Sequence, residues 1–305
     1  MIHLPDEKMK KGWQRFKDGR KIYKTSEIRR FLFLVLRVSL YNKRMNRIVV
    51  ISGGSSGMGK ELVELFTSAG DTAIGLSRSN PARHPHHIPC DISLPESIEA
   101  AAEQIRTKYG CVDILINNAG LGISGATECL PDEEIQKVMD TDYLGALRLS
   151  RAILKMMPSS GKIINISSAC ALFPLPYRGV YCSAKAAMSM MSYAMRMELS
   201  ASGIKVITVC PGDVKTEFTA NRLKFSDTNE RYGNSPALSA EAIDKNNDKR
   251  MSVQKTARKI YTIANRKKGT LYIIGAKYKA FYFAQRVLPT GWFFGIINRI
   301  FNKRK

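Results

Sequence analysis

The chain has 305 residues, 44% of them apolar and 24% charged, which is material for a sizeable globular core and excludes a disordered, collagen-like or disulfide-scaffold protein. Its six cysteines, Cys90, Cys111, Cys129, Cys170, Cys182 and Cys210, include no C-x-x-C pair, so they fit reduced thiols in a cytoplasmic protein better than bridges or a zinc site. Of the net charge of +22, +9 lies in residues 1–46 and +10 in residues 266–305, so the basicity belongs to the two ends and the middle is electrically ordinary.

Arg47–Ser52 is a short β-rich run, and the spacing of Leu62, Val63, Leu65 and Phe66 predicts a helix over Gly57–Ala69. Thr72–Leu76 and Ile88–Cys90 read as the next strands, and Glu96–Tyr109 as a helix opened by Pro95 at a favoured first position. Asp113–Asn117 is a strand, Asp132–Met157 a single long helix, Lys162–Ser167 a strand and Val180–Ser200 a helix. Ile204–Cys210, Val253–Asn265 and Thr270–Ile274 complete the series as strand, helix and strand, with a polar, loop-rich stretch over 213–250. Strands separated by helices must pair in parallel, and the unbroken apolar runs IVVIS, DILIN and VITVC fit strands buried on both faces. The expected class is α/β, a single Rossmann-type doubly wound parallel sheet domain over 45–275 with helices on both faces. Such a sheet binds ligands beyond its strand ends, where the strand order reverses.

Directly after the first strand stands Ser52-Gly53-Gly54-Ser55-Ser56-Gly57-Met58-Gly59, leading into a helix. A turn that admits a pyrophosphate needs residues without Cβ, and the helix start behind it offers free N–H groups and partial positive charge. Three further motifs follow other strands. These are Asn117-Asn118-Ala119-Gly120, then Tyr181-Cys182-Ser183-Ala184-Lys185 with Ser168 thirteen residues before the tyrosine, then Pro211-Gly212-Asp213-Val214-Lys215-Thr216. Each alone is commonplace. In this order, each at a strand end, the set resembles the motifs of the short-chain dehydrogenase/reductase family over residues 47–275, and its NADP(H)-using, hydroxysteroid- and retinol-type members in particular. Ser52 stands where that family usually has Thr.

The resemblance implies a hydride transfer between a nicotinamide and a carbonyl or alcohol. Tyr181 would be the acid/base, Ser168 the hydrogen-bond donor to the substrate oxygen, and Lys185 the cation that lowers the phenol pKa and touches the nicotinamide ribose. The chemistry is coherent: a phenol with a pKa of about 10 is a poor proton partner near neutrality unless a cation one helical turn away favours its ionised form. One departure stands out. Asp142, in Asp-Tyr-Leu-Gly, occupies a position where the family usually carries Asn, and a carboxylate beside Lys185 predicts an altered pH profile. The competing reading is a cofactor-binding regulatory protein, without turnover, at a membrane surface.

The resemblance assigns cofactor contacts to Gly53, Ser55, Ser56, Gly57, Met58, Gly59, Asn118, Ala119, Gly120, Pro211, Gly212, Val214 and Thr216, besides Tyr181 and Lys185, and to Asp91 and Ile92 at the adenine. At the end of the second strand no acid is present to take a ribose hydroxyl, and Arg78 follows at once, which favours NADP(H) over NAD(H). His84, His86 and His87 lack further ligands at metal spacing and read as surface residues, so no metal is expected.

The apolar runs Phe31–Tyr41 and Val287–Asn298 are too short to span a bilayer, for which about twenty residues are needed, and the start shows no signal-peptide cleavage pattern. Residues 1–44 read as a basic extension upstream of the domain, Met45 being a plausible start. Residues 276–305 form a basic, aromatic tail. Aromatics among lysines and arginines without acids fit an anchor on anionic lipid, and equally a last helix packed on the core with a soluble basic end. No nucleic-acid module accompanies the charge. The expected partners are thus a small carbonyl or alcohol, a membrane surface through the tail, and a second copy of the chain, since members of the family pair through their long helices. The expected location is cytoplasmic, peripheral on the cytoplasmic face of a membrane.

Overall fold

Apolar, β-branched runs at regular spacing produce seven parallel strands in one sheet of the computed structural model, which describes residues 46–226, 230–245 and 250–302. The expectations about residues 1–44 lie outside the described residues, as do parts of the 213–250 stretch. The strands are β1 (Ile48–Ser52), β2 (Thr72–Ser77), β3 (His87–Pro89), β4 (Ile114–Asn117), β6 (Lys162–Ile166), β7 (Lys205–Pro211) and β9 (Leu271–Ile274). Their order is β3-β2-β1-β4-β6-β7-β9, every pair parallel. The chain leaves β1 in one direction and returns to β4 on its other side, so the strand order reverses between β1 and β4, where a crevice opens at the carboxyl ends.

Helices cover both faces. On one, α1 (Gly57–Ser68) and α8 (Val253–Ala264) bury Leu62, Phe66, Ala257 and Ile260 against Val49, Ile51, Ile116 and Ile164. On the other, α2 (Pro95–Tyr109), α4 (Gly145–Leu154) and α5 (Gly179–Glu198) bury Ile98, Ile105, Leu149, Ile153 and Met195 against Val50, Ile74, Leu115 and Ile163. The alternate residues of β1 and β4 thus enter two separate cores, as strands buried on both faces require.

The predicted single helix over 132–157 differs in an instructive way. Asp132–Met139 is α3, Asp140–Leu144 is a π turn, and α4 ends at Leu154. Such a turn inserts one residue into a helix and is common at functional sites. Here it carries Asp142, which is fully buried. Gly145 closes the turn where a side chain would run into the Ile92 carbonyl.

The 213–250 stretch is less loop-like than its polarity suggested. It holds α6 (Glu217–Ala220), β8 (Leu223–Lys224) and α7 (Ser235–Lys245), and β8 pairs in parallel with β5 (Ile123–Ser124), two elements too short to show a period. The tail forms two helices, α9 (Ala276–Val287) and α10 (Thr290–Phe301), separated at Pro289. Phe293 and Ile297 of α10 are buried against Phe173, with Leu172, Leu175 and Phe281 around them. The opposite side exposes Trp292 at 73% and Phe283 at 70%, together with Val287, Ile296 and Ile300. Among the described residues no helix is long and apolar enough to cross a membrane.

Candidate active site

The glycine turn is held by hydrogen bonds between two strand ends. The Ser52 hydroxyl, at the last position of β1, accepts from the backbone N–H groups of Asn118 and Ala119, both at 3.0 Å, and the Asn118 amide donates to the Ser52 carbonyl at 3.0 Å. The serine in place of the family's threonine therefore still staples β1 to β4. Gly57 adopts φ +50°, and a side chain at Gly59 would collide with the Gly53 carbonyl and the Asn118 amide. Thr216 reaches over from the turn after β7, its methyl 3.6 Å from where a Gly57 Cβ would stand.

Ser56 caps α1 in an extended conformation without a side-chain hydrogen bond, and no acid occupies the first turn, so the first N–H groups of α1 stay open to an anion. Ser55 flanks this turn, while Met58 packs back against the core. A cradle without side chains, at a helix start and at the reversal of strand order, fits a dinucleotide.

Other predicted contacts lie around this cradle with different present partners. Arg78 is exposed just past β2 and adds the smallest of the downward pulls on the Asp91 carboxyl. Asp91 is also engaged by Ser93, which donates from its N–H and its hydroxyl, and this outweighs burial, the largest single effect, which acts upward. Ile92 joins the α2–α4 core. Pro211 ends β7, and Gly212 lies beneath the Tyr278 ring of α9, whose hydroxyl donates to the Asp213 carboxylate. Val214 forms a bridge with Met251. The three histidines have diverging partners: Thr67 for His84, Tyr109 for His86 and Ser77 for His87.

A buried polar thread crosses the strand ends and fixes the helices that carry the candidate residues. Asn117 of β4 donates to Ser150 of α4 at 2.9 Å and to Asn165 of β6 at 2.7 Å, and Asn165 donates to Ser192 of α5 at 2.7 Å. Buried side-chain hydrogen bonds of this kind define a unique packing, although the Asn117 Oδ1 itself finds no partner. They hold α5 so that Tyr181 and Lys185 share one face, pointing at the end of β6.

There the structure brings together Ser168, Tyr181, Lys185 and Asp142, all buried. The Lys185 ammonium lies 3.3 Å from Asp142 Oδ2 and 6.0 Å from the Tyr181 ring centre, and it donates to the Ile166 carbonyl at 3.4 Å. Asp142 Oδ1 accepts from the Leu121 N–H at 2.5 Å. Gly120 sits against both groups, 3.3 Å from each to a built Cβ, so a side chain there would press into the pair. Burial pushes the Asp142 carboxyl upward, opposed by Lys185 and by the Leu121 bond. The Tyr181 phenol is pushed up mainly by burial, then by Cys170 and Asp142, while Arg178 and a hydrogen bond with Ser168 favour its ionised form.

Three neighbours escaped the reading of motifs. Phe218 of α6 stands 5.8 Å, ring to ring, from Tyr181, and nothing in its local sequence marks it. Cys170 lies two residues beyond Ser168, its thiol lowered to about 7 mainly by a hydrogen bond with Cys182 and further by Arg178. Arg178 lies three residues before Tyr181 on the same helix face, a spacing that could have drawn attention.

The short chain dehydrogenase family profile matches residues 47–227. A 3-ketodihydrosphingosine reductase of Bacteroides thetaiotaomicron is 37% identical over 205 residues, covering 65% of this chain and 76% of that protein. Dehydrogenase/reductase SDR family member 7B of Rattus norvegicus is 31% identical over 243 residues, 73% of this chain and 72% of its own. A crystal structure of a short-chain dehydrogenase from Streptomyces avermitilis superposes with a TM-score of 0.72 at 27% identity, over 84% of this chain and 95% of that one. With more than half of its length inside the family profile, the chain belongs to the short-chain dehydrogenase/reductase family and is an oxidoreductase with a Rossmann-type fold for a nicotinamide dinucleotide.

Proposed function

We propose that this enzyme moves a hydride between NADP(H) and the carbonyl or alcohol group of a lipophilic substrate, with Tyr181 as the acid/base. The convergence of the Tyr181 phenol, the Ser168 hydroxyl and the Lys185 ammonium beside the glycine cradle carries this reading. The cofactor supplies the hydride when bound; the protein's residues manage the charge and the proton. A carbonyl receiving hydride gains negative charge on oxygen. Ser168 stabilises that charge by hydrogen bonding, and Tyr181 donates its proton to it. Lys185, held by Asp142 and the Ile166 carbonyl, orients on the phenol and on a ribose. Gly53, Ser55, Ser56, Gly57, Met58, Gly59 and Thr216 would surround the pyrophosphate, Asn118, Ala119 and Gly120 the nicotinamide half, and Asp91 and Ile92 the adenine.

Preference for NADP(H) rests on Arg78, exposed past β2 where a 2′-phosphate would lie, with no acid in its place. A lipophilic substrate, acyl-, sterol- or retinoid-like, agrees with the partly buried Leu172 and Leu175 beyond Ser168, and with the 3-ketodihydrosphingosine in the name of the Bacteroides relative. In this reading residues 45–275 are the catalytic domain, 213–250 cover the substrate and 276–305 are the tail. The exposed Trp292, Phe283 and Val287, beside Lys279 and Arg286 and without acids, suit the surface of an anionic membrane on its cytoplasmic side. Exposed Met190 and Met197 on α5 suit pairing of two copies through that helix.

A screen of cofactor oxidation across long-chain, cyclic and steroidal ketones, run with NADPH and with NADH, tests the proposal. Turnover with at least one lipophilic ketone, faster with NADPH at equal concentration, is expected; stronger binding and use of NADH would contradict the cofactor assignment.

A further inference from the structure

Asp142 alters the balance of charge around Tyr181. In this fold Lys185 is the cation one turn along α5 from the phenol, but its ammonium is paired at 3.3 Å with a carboxylate that is itself fully buried. Opposite charges at that separation act on a third group mostly as a dipole, so the field that Lys185 alone would exert at the phenol is largely cancelled. A second cation stands nearby. The Arg178 guanidinium lies 5.2 Å from the Tyr181 ring centre, nearer than the Lys185 ammonium at 6.0 Å.

Apart from its contact with the Tyr181 ring, no ion pair among the described residues anchors Arg178 at this place. It is the N-cap residue of the twenty-residue α5, the helix end where a cation is unfavourable. Among the described residues no carboxylate lies within ion-pair distance of it, and its Nε is buried without a hydrogen-bond partner. An uncompensated, partly desolvated cation costs stability and is retained where it does something else.

The groups facing the phenol are few. The π turn contributes Asp142, the segment after β6 contributes Ser168 and Cys170, α5 contributes Arg178, Cys182 and Lys185, and α6 contributes the Phe218 ring. Asp213, after β7, acts on Cys170, and the buried Arg222 donates to Ser124 instead. Of these, Asp142 and an ionised Cys170 disfavour a phenolate, and Arg178 is the cation without a carboxylate partner.

We propose that Arg178 is a positioning residue for the acid/base: it restores to Tyr181 the positive charge that Asp142 withdraws from Lys185, so that Asp142 and Arg178 act as a compensating pair. This rests on the reading of Tyr181 as the acid/base, and the experiment separates the two. Protein labelled with 13C at the tyrosine Cζ and saturated with NADP+ would be titrated by NMR, with the Tyr181 resonance assigned by its loss in Tyr181→Phe. The Tyr181 midpoint is expected to rise by about one to two pH units in Arg178→Gln and to stay near wild type in Arg178→Lys. It should fall in Asp142→Asn and return towards wild type in the Asp142→Asn, Arg178→Gln double variant. A wild-type phenol that does not ionise below about pH 11, or an equal midpoint in Arg178→Gln with unchanged near-UV circular dichroism, overturns the proposal. Loss of the catalytic reading would show separately, as wild-type turnover in Tyr181→Phe.

Discussion

Around Tyr181 the side chains impose opposing demands: burial and Asp142 keep the phenol neutral, whereas a proton carrier near neutrality must be able to lose its proton. Asp142→Asn removes a negative charge beside Lys185, so the basic limb of the pH profile of kcat/KM for ketone reduction is expected to move to lower pH; an unmoved limb would show that Asp142 carries no charge in the working enzyme. Cys170 gives a second check on the same field. Its thiol, lowered to about 7, should react with iodoacetamide increasingly as pH rises through that value, whereas Cys210, pushed up to about 12 chiefly by burial, should remain unlabelled. Peptide mass spectrometry after labelling between pH 6 and 8 reads both. At the cofactor, Arg78→Ala is expected to raise KM for NADPH roughly ten- to hundredfold, the equivalent of one charge-assisted hydrogen bond, with little change for NADH. The side chains in motifs were legible because each stands at a fixed distance from a strand end. Cys170 and Phe218 were not, because their relation to Tyr181 is spatial: only the packing of the segment after β6 and of α6 against α5 brings them there, whereas Arg178, three residues before Tyr181, was within reach of the spacing but belongs to no motif.

The strands and long helices follow from their apolar periods, and their order follows from the alternation of the two. The π turn at Asp140–Leu144 escaped because one inserted residue shifts the apolar stripe too little to break a helical pattern, although it is what delivers Asp142 to the site. Short elements such as β5 and β8 carry no period at all; their pairing is set by the folding back of the 213–250 stretch. In the tail the i, i+4 pair of Phe293 and Ile297 was readable as one helical face, but its contact with Phe173 was not. That contact makes a stability prediction. Phe293→Ala should destabilise the protein by about 3 kcal/mol in urea unfolding, the lower end for a buried Phe because the cluster lies at the edge of the fold; a loss under about 0.5 kcal/mol would mean that α10 is not docked in solution.

Across the whole chain, the sheet sets the site and the excess charge lies towards the two ends of the sequence. Nearly all the excess positive charge is outside 47–265, and α9 and α10 add an exposed apolar side to it. Replacing Trp292 and Ile296 by Glu alters only exposed positions, so the fold should persist while recovery with anionic liposomes falls; equal recovery in the pellet would contradict a membrane-facing tail. In the proposed reaction a hydride passes from the nicotinamide to a carbonyl while Tyr181 supplies the proton. This reaction is tested most directly with NADPH deuterated at the transferring C4 position and the best ketone from the screen. Deuterium should appear on the carbinol carbon with the wild type, and the rate should fall at least about a hundredfold in a Tyr181→Phe variant that still binds NADPH. Deuterium transfer at the wild-type rate by that variant would contradict the role of Tyr181 as the proton donor.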